Sequence, residues 1–399
     1  MARTERIEFP GAQGDQLAAR LEHPDGPAFG WAIFAHCFSC SKDIAAAQRV
    51  SRRLTDHGLA VLRFDFTGLG HSEGDFANTN FSSNVDDLIK AAEWLGETHT
   101  APSLLIGHSL GGAAVIAAAA QLPSVRAVAT IGAPADAEHV QHQFHAHIDE
   151  INEKGEAEVS LAGRPFKIKK QFLDDISGKK LDAIVGSMRA ALLIAHSPID
   201  ATVGIDNATR LFVAAKHPKT FISLDQADHL LTSKADAEHI ADVIGAWSKR
   251  YISVLELPKP PNPPREKGAV VEETGLGGFY SWVNAGGYVS TADEPLELGG
   301  LGGGPGPYEI LSASLAACTT FTLRMYAKHK GYDFGRIKTE VHHRVETDDA
   351  GEKRDVFERL VSVENDVNDA MGAKILEIAN KCPVHKTLER SSHIETRRT

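Results

Sequence analysis

Along roughly the first 250 residues, short apolar runs alternate with segments whose apolar positions recur every three to four residues. The runs "GWAIFAH" (30–36), "LAVLRFDF" (59–66), "SLLIGH" (103–108), "VRAVATIGAP" (125–134), "AALLIAHS" (190–197) and "KTFISLD" (219–225) have no polar alternation. Strands of this kind are buried on both faces, which suits a parallel sheet. Between them "KDIAAAQRVSRRLTDHG", "SNVDDLIKAAEWLG" and "ADAEHIADVIGAWSKRY" carry helical periodicity, and the first closes on Gly58, a residue suited to a helix C-terminus. The alternation predicts an open α/β sheet.

Residues 135–185 break the pattern. They are polar and His-rich, then form an expected hairpin around "EVSLAGRPFKI", and they read as a small cap over one end of the sheet. Five prolines in "ELPKPPNPPREKG" (256–268) forbid regular structure and mark a stiff linker over 256–267. Beyond it the pattern changes. "GGFYSWVNAGG" and "YVSTADE" read as strands, and a long helix follows from Pro307 to before Gly331. "GRIKTEVHHRVET" and "DVFERLVSVEN" form a hairpin across "DDAGEK", and two short helices close the chain. Strands followed by segregated helices predict a separate α+β domain over 268–399, after an α/β domain over 1–255.

The length of 399 residues fits two domains. A formal net charge of −11 argues against a nucleic-acid partner, because phosphate binding needs a basic surface. No apolar core of a leader peptide stands near the start, and no run is long enough for a membrane span. With four cysteines, too few for a secreted disulfide framework, the expected compartment is the reducing cytoplasm.

The chemistry concentrates at two places. Gly107-His108-Ser109-Leu110-Gly111 is a G-x-S-x-G elbow after a predicted strand and before a helix of small residues. A serine hydroxyl needs a base. His229, just after the "KTFISLD" strand, supplies one, and Asp200, after the preceding strand, is positioned to orient it; Asp225 and Asp228 read as turn or capping residues. The chain order Ser, Asp, His is that of α/β-hydrolases, and residues 1–255 resemble that superfamily, "DFTGLGHSEG" (65–74) included. The resemblance implies an oxyanion hole from the backbone N–H of Leu110 and a second N–H on the loop "AHCFSC", which aligns with a His-Gly-x loop and points to Phe38. Cys37 and Cys40 in that loop have C-x-x-C spacing, which on spacing alone permits a redox dithiol, half a metal site or neither. Their place on the loop favours bystander side chains.

In the second domain Cys318 lies inside the long helix and Cys382 at a helix junction before Pro383. Taken singly, each reads as a buried inert thiol. However, "TADEP", "GPGPYEILSASLAAC" and "NKCPVHKTLE" resemble the OsmC/Ohr family of thiol peroxidases over 268–399. The resemblance implies Cys318 as the peroxidatic thiol, Cys382 as the resolving thiol, Glu309 as a nearby active-site acid, and a homodimer built through this domain. It also implies organic hydroperoxide substrates and an external thiol or dithiol reductant. Relatives use an arginine to lower the cysteine pKa; at the matched position this chain has Ala285-Gly286-Gly287-Tyr288, and Arg324 cannot be assigned to that task by spacing.

His139, His142, His145 and His147 in "EHVQHQFHAH" read as a solvated cap helix rather than a metal site, and "GGLGGGPGP" lacks the ending of a phosphate loop. No cofactor and no metal is expected. The whole reads as a serine hydrolase, a carboxylesterase on small or medium acyl esters, fused to an OsmC-like domain that reduces organic hydroperoxides. The alternative keeps the esterase and makes the second domain a dimerisation, ligand-binding or oxidation-sensing module.

Overall fold

The computed structural model describes residues 3–37, 40–161, 164–177, 181–252, 255–348, 351–390 and 392–398. They form two compact units, 1–258 and 259–399, with the division inside the proline-rich segment.

In the first unit the elements run β1 (Arg3–Pro10), β2 (Gln16–His23), β3 (Gly30–Ala35), α1 (Ala45–Thr55), β4 (Leu59–Phe64), α2 (Phe81–Thr98), β5 (Leu104–His108), α3 (Leu110–Ala119) and β6 (Ala127–Ile131). After them come α4 (Ile148–Lys154), β7 (Glu156–Leu161), β8 (Arg164–Lys169), α5 (Lys170–Ile176), α6 (Asp182–Ser187), β9 (Ala191–His196), α7 (Ile205–Ala214), β10 (Lys219–Ser223) and α8 (Lys234–Ser248). Eight strands make one sheet in the order β1-β2-β4-β3-β5-β6-β9-β10. From β4 to β10 all neighbours are parallel, as the unbroken apolar runs predict. The sheet is nonetheless mixed, because β1 and β2 pair antiparallel to each other and β2 pairs antiparallel to β4. These two strands have half-polar, alternating sequences and escape a search for continuous apolar runs.

One apolar cluster packs α2, α3 and the segment 137–185 on one face of the sheet; a second, with α1 and α8, covers the other. The His-rich stretch forms two 3₁₀ turns, Ala137–Gln143 and His145–His147, in place of the expected helix. The expected hairpin is β7 paired with β8.

In the second unit β11 (Ala269–Glu273), β12 (Ser281–Ala285) and β13 (Tyr288–Ala292) form a small antiparallel sheet. The long helix α9 (Pro307–Lys330) follows, then the hairpin of β14 (Ile337–Thr347) and β15 (Lys353–Val363), then α10 (Asp369–Ala379) and α11 (Pro383–Glu389). Pro307 opens α9 and Gly331, at φ 71°, caps it. Its core is small, Leu323, Ala327 and Phe334 against Ile375, Ile378 and Ala379. No helix among the described residues is long and apolar enough to cross a membrane.

Candidate active sites

Ser109 sits between β5 and α3 at φ 55° and ψ −125°, a strained conformation for a residue with a side chain. The neighbouring glycines explain how the chain accommodates it. A Cβ on Gly107 would lie 2.3 Å from the Gly111 carbonyl oxygen, and one on Gly111 would lie 2.4 Å from that of His36. The helix therefore packs against the strand ends with no room for side chains, and the turn projects the serine hydroxyl.

The turn after β9 carries Asp200, and the loop after β10 carries His229. His229 Nε2 lies 3.0 Å from Ser109 Oγ, and Nδ1 lies 2.7 Å from Asp200 Oδ2. Asp200 Oδ1 accepts from the amides of Thr202 (2.8 Å) and Val203 (2.9 Å). Burial alone would raise the Asp200 carboxyl, but the hydrogen bonds from His229, Val203 and Thr202 outweigh it and hold the pKa below the ordinary value. Asp225 and Asp228 stand outside this chain of bonds: Asp225 accepts from Ser223 Oγ, and Asp228 from the Thr232 amide.

Two further histidines support the arrangement. His108 is fully buried, and its Nε2 donates to the His229 carbonyl oxygen at 2.6 Å. Burial, followed by repulsion from His229, pushes its pKa down to about 4, so it stays neutral near neutral pH. His196 Nε2 donates to the Val203 carbonyl oxygen at 2.8 Å, bracing the turn that carries Asp200. The sequence offered a signal for both, since each ends a core strand, His108 one and His196 four positions before a site residue, but buried histidines are commonly structural and the pattern does not distinguish the cases.

Leu110 is the first residue of α3, so its amide has no partner in the helical ladder. Phe38, the other expected donor, lies outside the described residues. On the same loop, where the spacing left several states open, Cys37 and Cys40 are joined as a disulfide. The Cys40 amide bonds to the Cys37 carbonyl, and the Cα atoms lie 5.3 Å apart, within disulfide range. The loop is clamped from below by buried charges. Asp65 accepts from the Lys42 amide (2.6 Å), Lys42 Nζ (2.6 Å) and the His71 amide (2.9 Å), and Arg63 bridges Glu22 (2.8 Å) and Asp43 (2.9 Å).

In the second unit Cys318 on α9 and Cys382 before α11 come within hydrogen-bonding reach of each other as free thiols. Cys318 is half-buried and Cys382 fully buried. Glu309 is not brought to them: nine residues along one helix correspond to about 13.5 Å of rise. It lines a separate cavity of about 490 Å³ with Tyr308, Ser312 and the strand residues His342 and His343. Arg324 turns away and donates to the Gly335 carbonyl. Arg359 on β15 donates to Thr319 Oγ1 at 3.0 Å, and that hydroxyl lies 3.7 Å from Cys382 Sγ. The alternation of "DVFERLVSVEN" puts Arg359 on the same face as Val361 and Val363, toward α9, but a lone arginine in a strand carries no spacing signal.

The fold and the serine, histidine and carboxylate arrangement define an enzyme of the α/β-hydrolase class. A family model for serine aminopeptidase S33 matches residues 40–154, and one for OsmC-like protein matches 300–397. The esterase domain of a Rhodothermus marinus protein is 49% identical, with a TM-score of 0.52, covering 62% of this chain and 99% of that one. The mouse mitochondrial palmitoyl-protein thioesterase ABHD10 is 33% identical over 188 residues, which are 45% of this chain and 62% of that protein. The chain thus spans less than two thirds of this relative. Est1E from Butyrivibrio proteoclasticus, solved with ferulic acid, shares the fold at 19% identity and a TM-score of 0.51, covering 61% of this chain and 98% of that one. The chain belongs to the α/β-hydrolase family through its first unit and carries an OsmC-like domain in its second.

Proposed function

We propose that the first unit is a carboxylesterase acting on small or medium acyl esters. In this reading Ser109 attacks the acyl carbon, His229 takes its proton and returns it to the leaving alcohol, and Asp200 holds the imidazole in the tautomer that keeps Nε2 free to accept. The Leu110 amide donates to the developing oxyanion. The observation that carries this reading is the hydrogen-bonded run Asp200–His229–Ser109 at 2.7 and 3.0 Å. Exposed Ile199 and Leu230, next in sequence to Asp200 and His229, offer an apolar lip for an acyl chain. A second reading, acyl thioester hydrolysis, is favoured by the 33% identity to the mouse thioesterase.

For the second unit the same proposal is reduction of organic hydroperoxides by Cys318 and Cys382. Cys318 is converted to a sulfenic acid by the peroxide, Cys382 condenses with it to a disulfide and water, and an external dithiol restores the pair. The contact between the two thiols supports this. Exposed Phe321 (67%) and Met325 (66%) on α9 support a homodimer through this unit, since such side chains are seldom left to water. Glu309 would then act only if assembly or movement brings it to the thiols.

The experiment measures both reactions on one chain. Hydrolysis of p-nitrophenyl esters and of acyl thioesters of increasing length is compared with consumption of cumene hydroperoxide in the presence of a dithiol. Ser109→Ala is expected to lose on the order of a millionfold in ester turnover and to keep peroxide consumption. Ester turnover within tenfold of the parent would refute the assignment of Ser109, and no peroxide consumption by the parent would favour the binding-module alternative.

A further inference from the structure

We infer that Lys42 and Asp65 are positioning residues for ester hydrolysis. Together they fix, relative to the sheet, the loop after β3 that is expected to give the second amide of the oxyanion hole. The inference deepens the esterase reading of the first unit and rests on it.

The loop has two anchors. At its start the Ala35 and His36 carbonyl oxygens lie against Gly111, where an added Cβ would come within 2.5 and 2.4 Å of them. The chain leaving β3 therefore rests on the first turn of α3, which carries the Leu110 amide. At the other end Lys42 is held in three directions by β4 and the residue after it. Its amide donates to Asp65 Oδ1 at 2.6 Å, its Nζ donates to Asp65 Oδ2 at 2.6 Å, and its carbonyl oxygen accepts from Arg63 Nη1. Lys42 and Asp65 are both buried, and a lysine is seldom buried unless it is paired. The groups that hold Lys42 are fixed in turn. Asp65 Oδ2 also accepts from the His71 amide at 2.9 Å, and Gly70 packs on that carboxylate with no room for a Cβ. Arg63 donates to Glu22 at 2.8 Å and to Asp43 at 2.9 Å. Further out from Lys42 Nζ stand His71 Nδ1 at 3.4 Å and Asp43 Oδ2 at 3.5 Å. The Cys37–Cys40 disulfide lies between the anchors, closes the loop on itself and ties it to no other element.

A buried ion pair seldom adds net stability, because the desolvation of both charges offsets their attraction. What this pair supplies is geometry. With its amide, carbonyl and ammonium all engaged, Lys42 has no freedom to shift against β4, and the expected loop amide lies in sequence between it and the Gly111 contact. An oxyanion donor contributes where charge develops, so its displacement weakens transition-state binding and leaves ground-state binding nearly unchanged. A displacement of about 1 Å costs on the order of 100-fold. Lys42 and Asp65 act through the loop backbone and not on substrate.

The full chain, kept free of reductant, is assayed with a p-nitrophenyl ester and two inhibitors of matching chain length. One is an alkyl trifluoromethyl ketone, whose adduct with Ser109 places a negatively charged oxygen in the hole. The other is the corresponding alcohol, which forms no adduct. Lys42→Met is expected to lower kcat/KM by about 10- to 100-fold, to raise the ketone Ki by the same factor and to leave the alcohol Ki unchanged. Lys42→Arg, which keeps the charge, should restore part of both losses. Asp65→Asn keeps an acceptor for the Lys42 amide and loses the one for Nζ, so it should give the same pattern; the double variant should lose less than the two singles combined, as expected of residues that act as one pair. A ketone Ki unmoved by Lys42→Met, in a chain with unchanged circular dichroism, overturns the inference. Ketone and alcohol Ki values that rise together overturn it as well, since they mark a general loosening of the site. If Lys42→Met fails to fold, Lys42→Gln, uncharged but able to donate to Asp65, decides by the same comparison. A parent chain without ester turnover refutes the esterase reading and this inference with it, whereas turnover in the parent with a ketone Ki indifferent to residue 42 refutes this inference alone.

Discussion

Replacing Asp200 by asparagine tests the proposed base with almost no change in shape. The two carboxylate oxygens have different duties. Oδ1 accepts from two amides, Thr202 at 2.8 Å and Val203 at 2.9 Å, while Oδ2 accepts from His229 Nδ1 at 2.7 Å. An asparagine side chain must keep its oxygen toward the two amides, because turning its NH₂ there would set donors against donors and leave two N–H groups unpaired, at about 1–3 kcal/mol each. Its NH₂ then faces Nδ1 and donates to it. The imidazole answers by carrying its proton on Nε2, which points at Ser109 Oγ 3.0 Å away. A protonated Nε2 cannot accept the serine proton. The expected loss in kcat is therefore about 10⁴-fold, the scale seen when a triad tautomer is inverted, or about 5.5 kcal/mol at 1.36 kcal/mol per decade. KM for a p-nitrophenyl ester should change little, because no substrate contact is touched. The assay is steady-state hydrolysis from pH 6 to 9, with thermal unfolding to confirm that the loop bonds survive. Activity within tenfold of the parent, in a chain of unchanged stability, would refute the tautomer argument and release Asp200 from the site.

Further expectations follow from single contacts. Gly111→Ala places a methyl 2.4 Å from the His36 carbonyl oxygen and 2.5 Å from that of Ala35, both backbone atoms that cannot turn aside; urea unfolding should show a loss of about 1–3 kcal/mol, and ester turnover should fall because α3 and the loop after β3 are forced apart. For His108 the folded pKa of about 4 lies below the ordinary value of 6.5. The unfolded chain therefore binds the extra proton first, and stability is complete above pH 6.5 and declines as pH falls toward 4, by at most about 1.4 kcal/mol per unit. His108→Gln should flatten that limb by close to one proton in urea unfolding at pH 4.5 to 7; an unchanged slope would count against a neutral buried His108.

How far the chain could be read before folding depended on the range of the interaction involved. The parallel core strands β3 to β6 and β9 were legible because burial on both faces demands unbroken apolar runs; β10, expected to be buried likewise, is a partly exposed edge strand. The Ser109 elbow was legible because its steric demands fall on glycines two residues either side. Asp200 and His229 could be placed by chain order at the ends of consecutive strands. The strands β1 and β2 were not, since their half-polar sequences lack an unbroken apolar run. The histidine-rich segment 137–147 suggested a helix, but tertiary packing drew it into short 3₁₀ turns.

Everything that turns on distance across the fold was left to the tertiary structure. The C-x-x-C spacing permitted several states, and the fold brings Cys37 and Cys40 to a Cα separation of 5.3 Å, which a disulfide requires. Glu309 and Cys318 share a helix, so their separation follows from helical rise, while Cys318 and Cys382, 64 positions apart in sequence, meet because α11 packs on α9. Arg359, on β15, bonds to Thr319 of α9 at 3.0 Å only because the β14–β15 hairpin packs against that helix. Local backbone sterics and burial periodicity are written in neighbouring residues. The contacts that gather Cys318, Thr319, Cys382 and Arg359 are a property of three elements folded together.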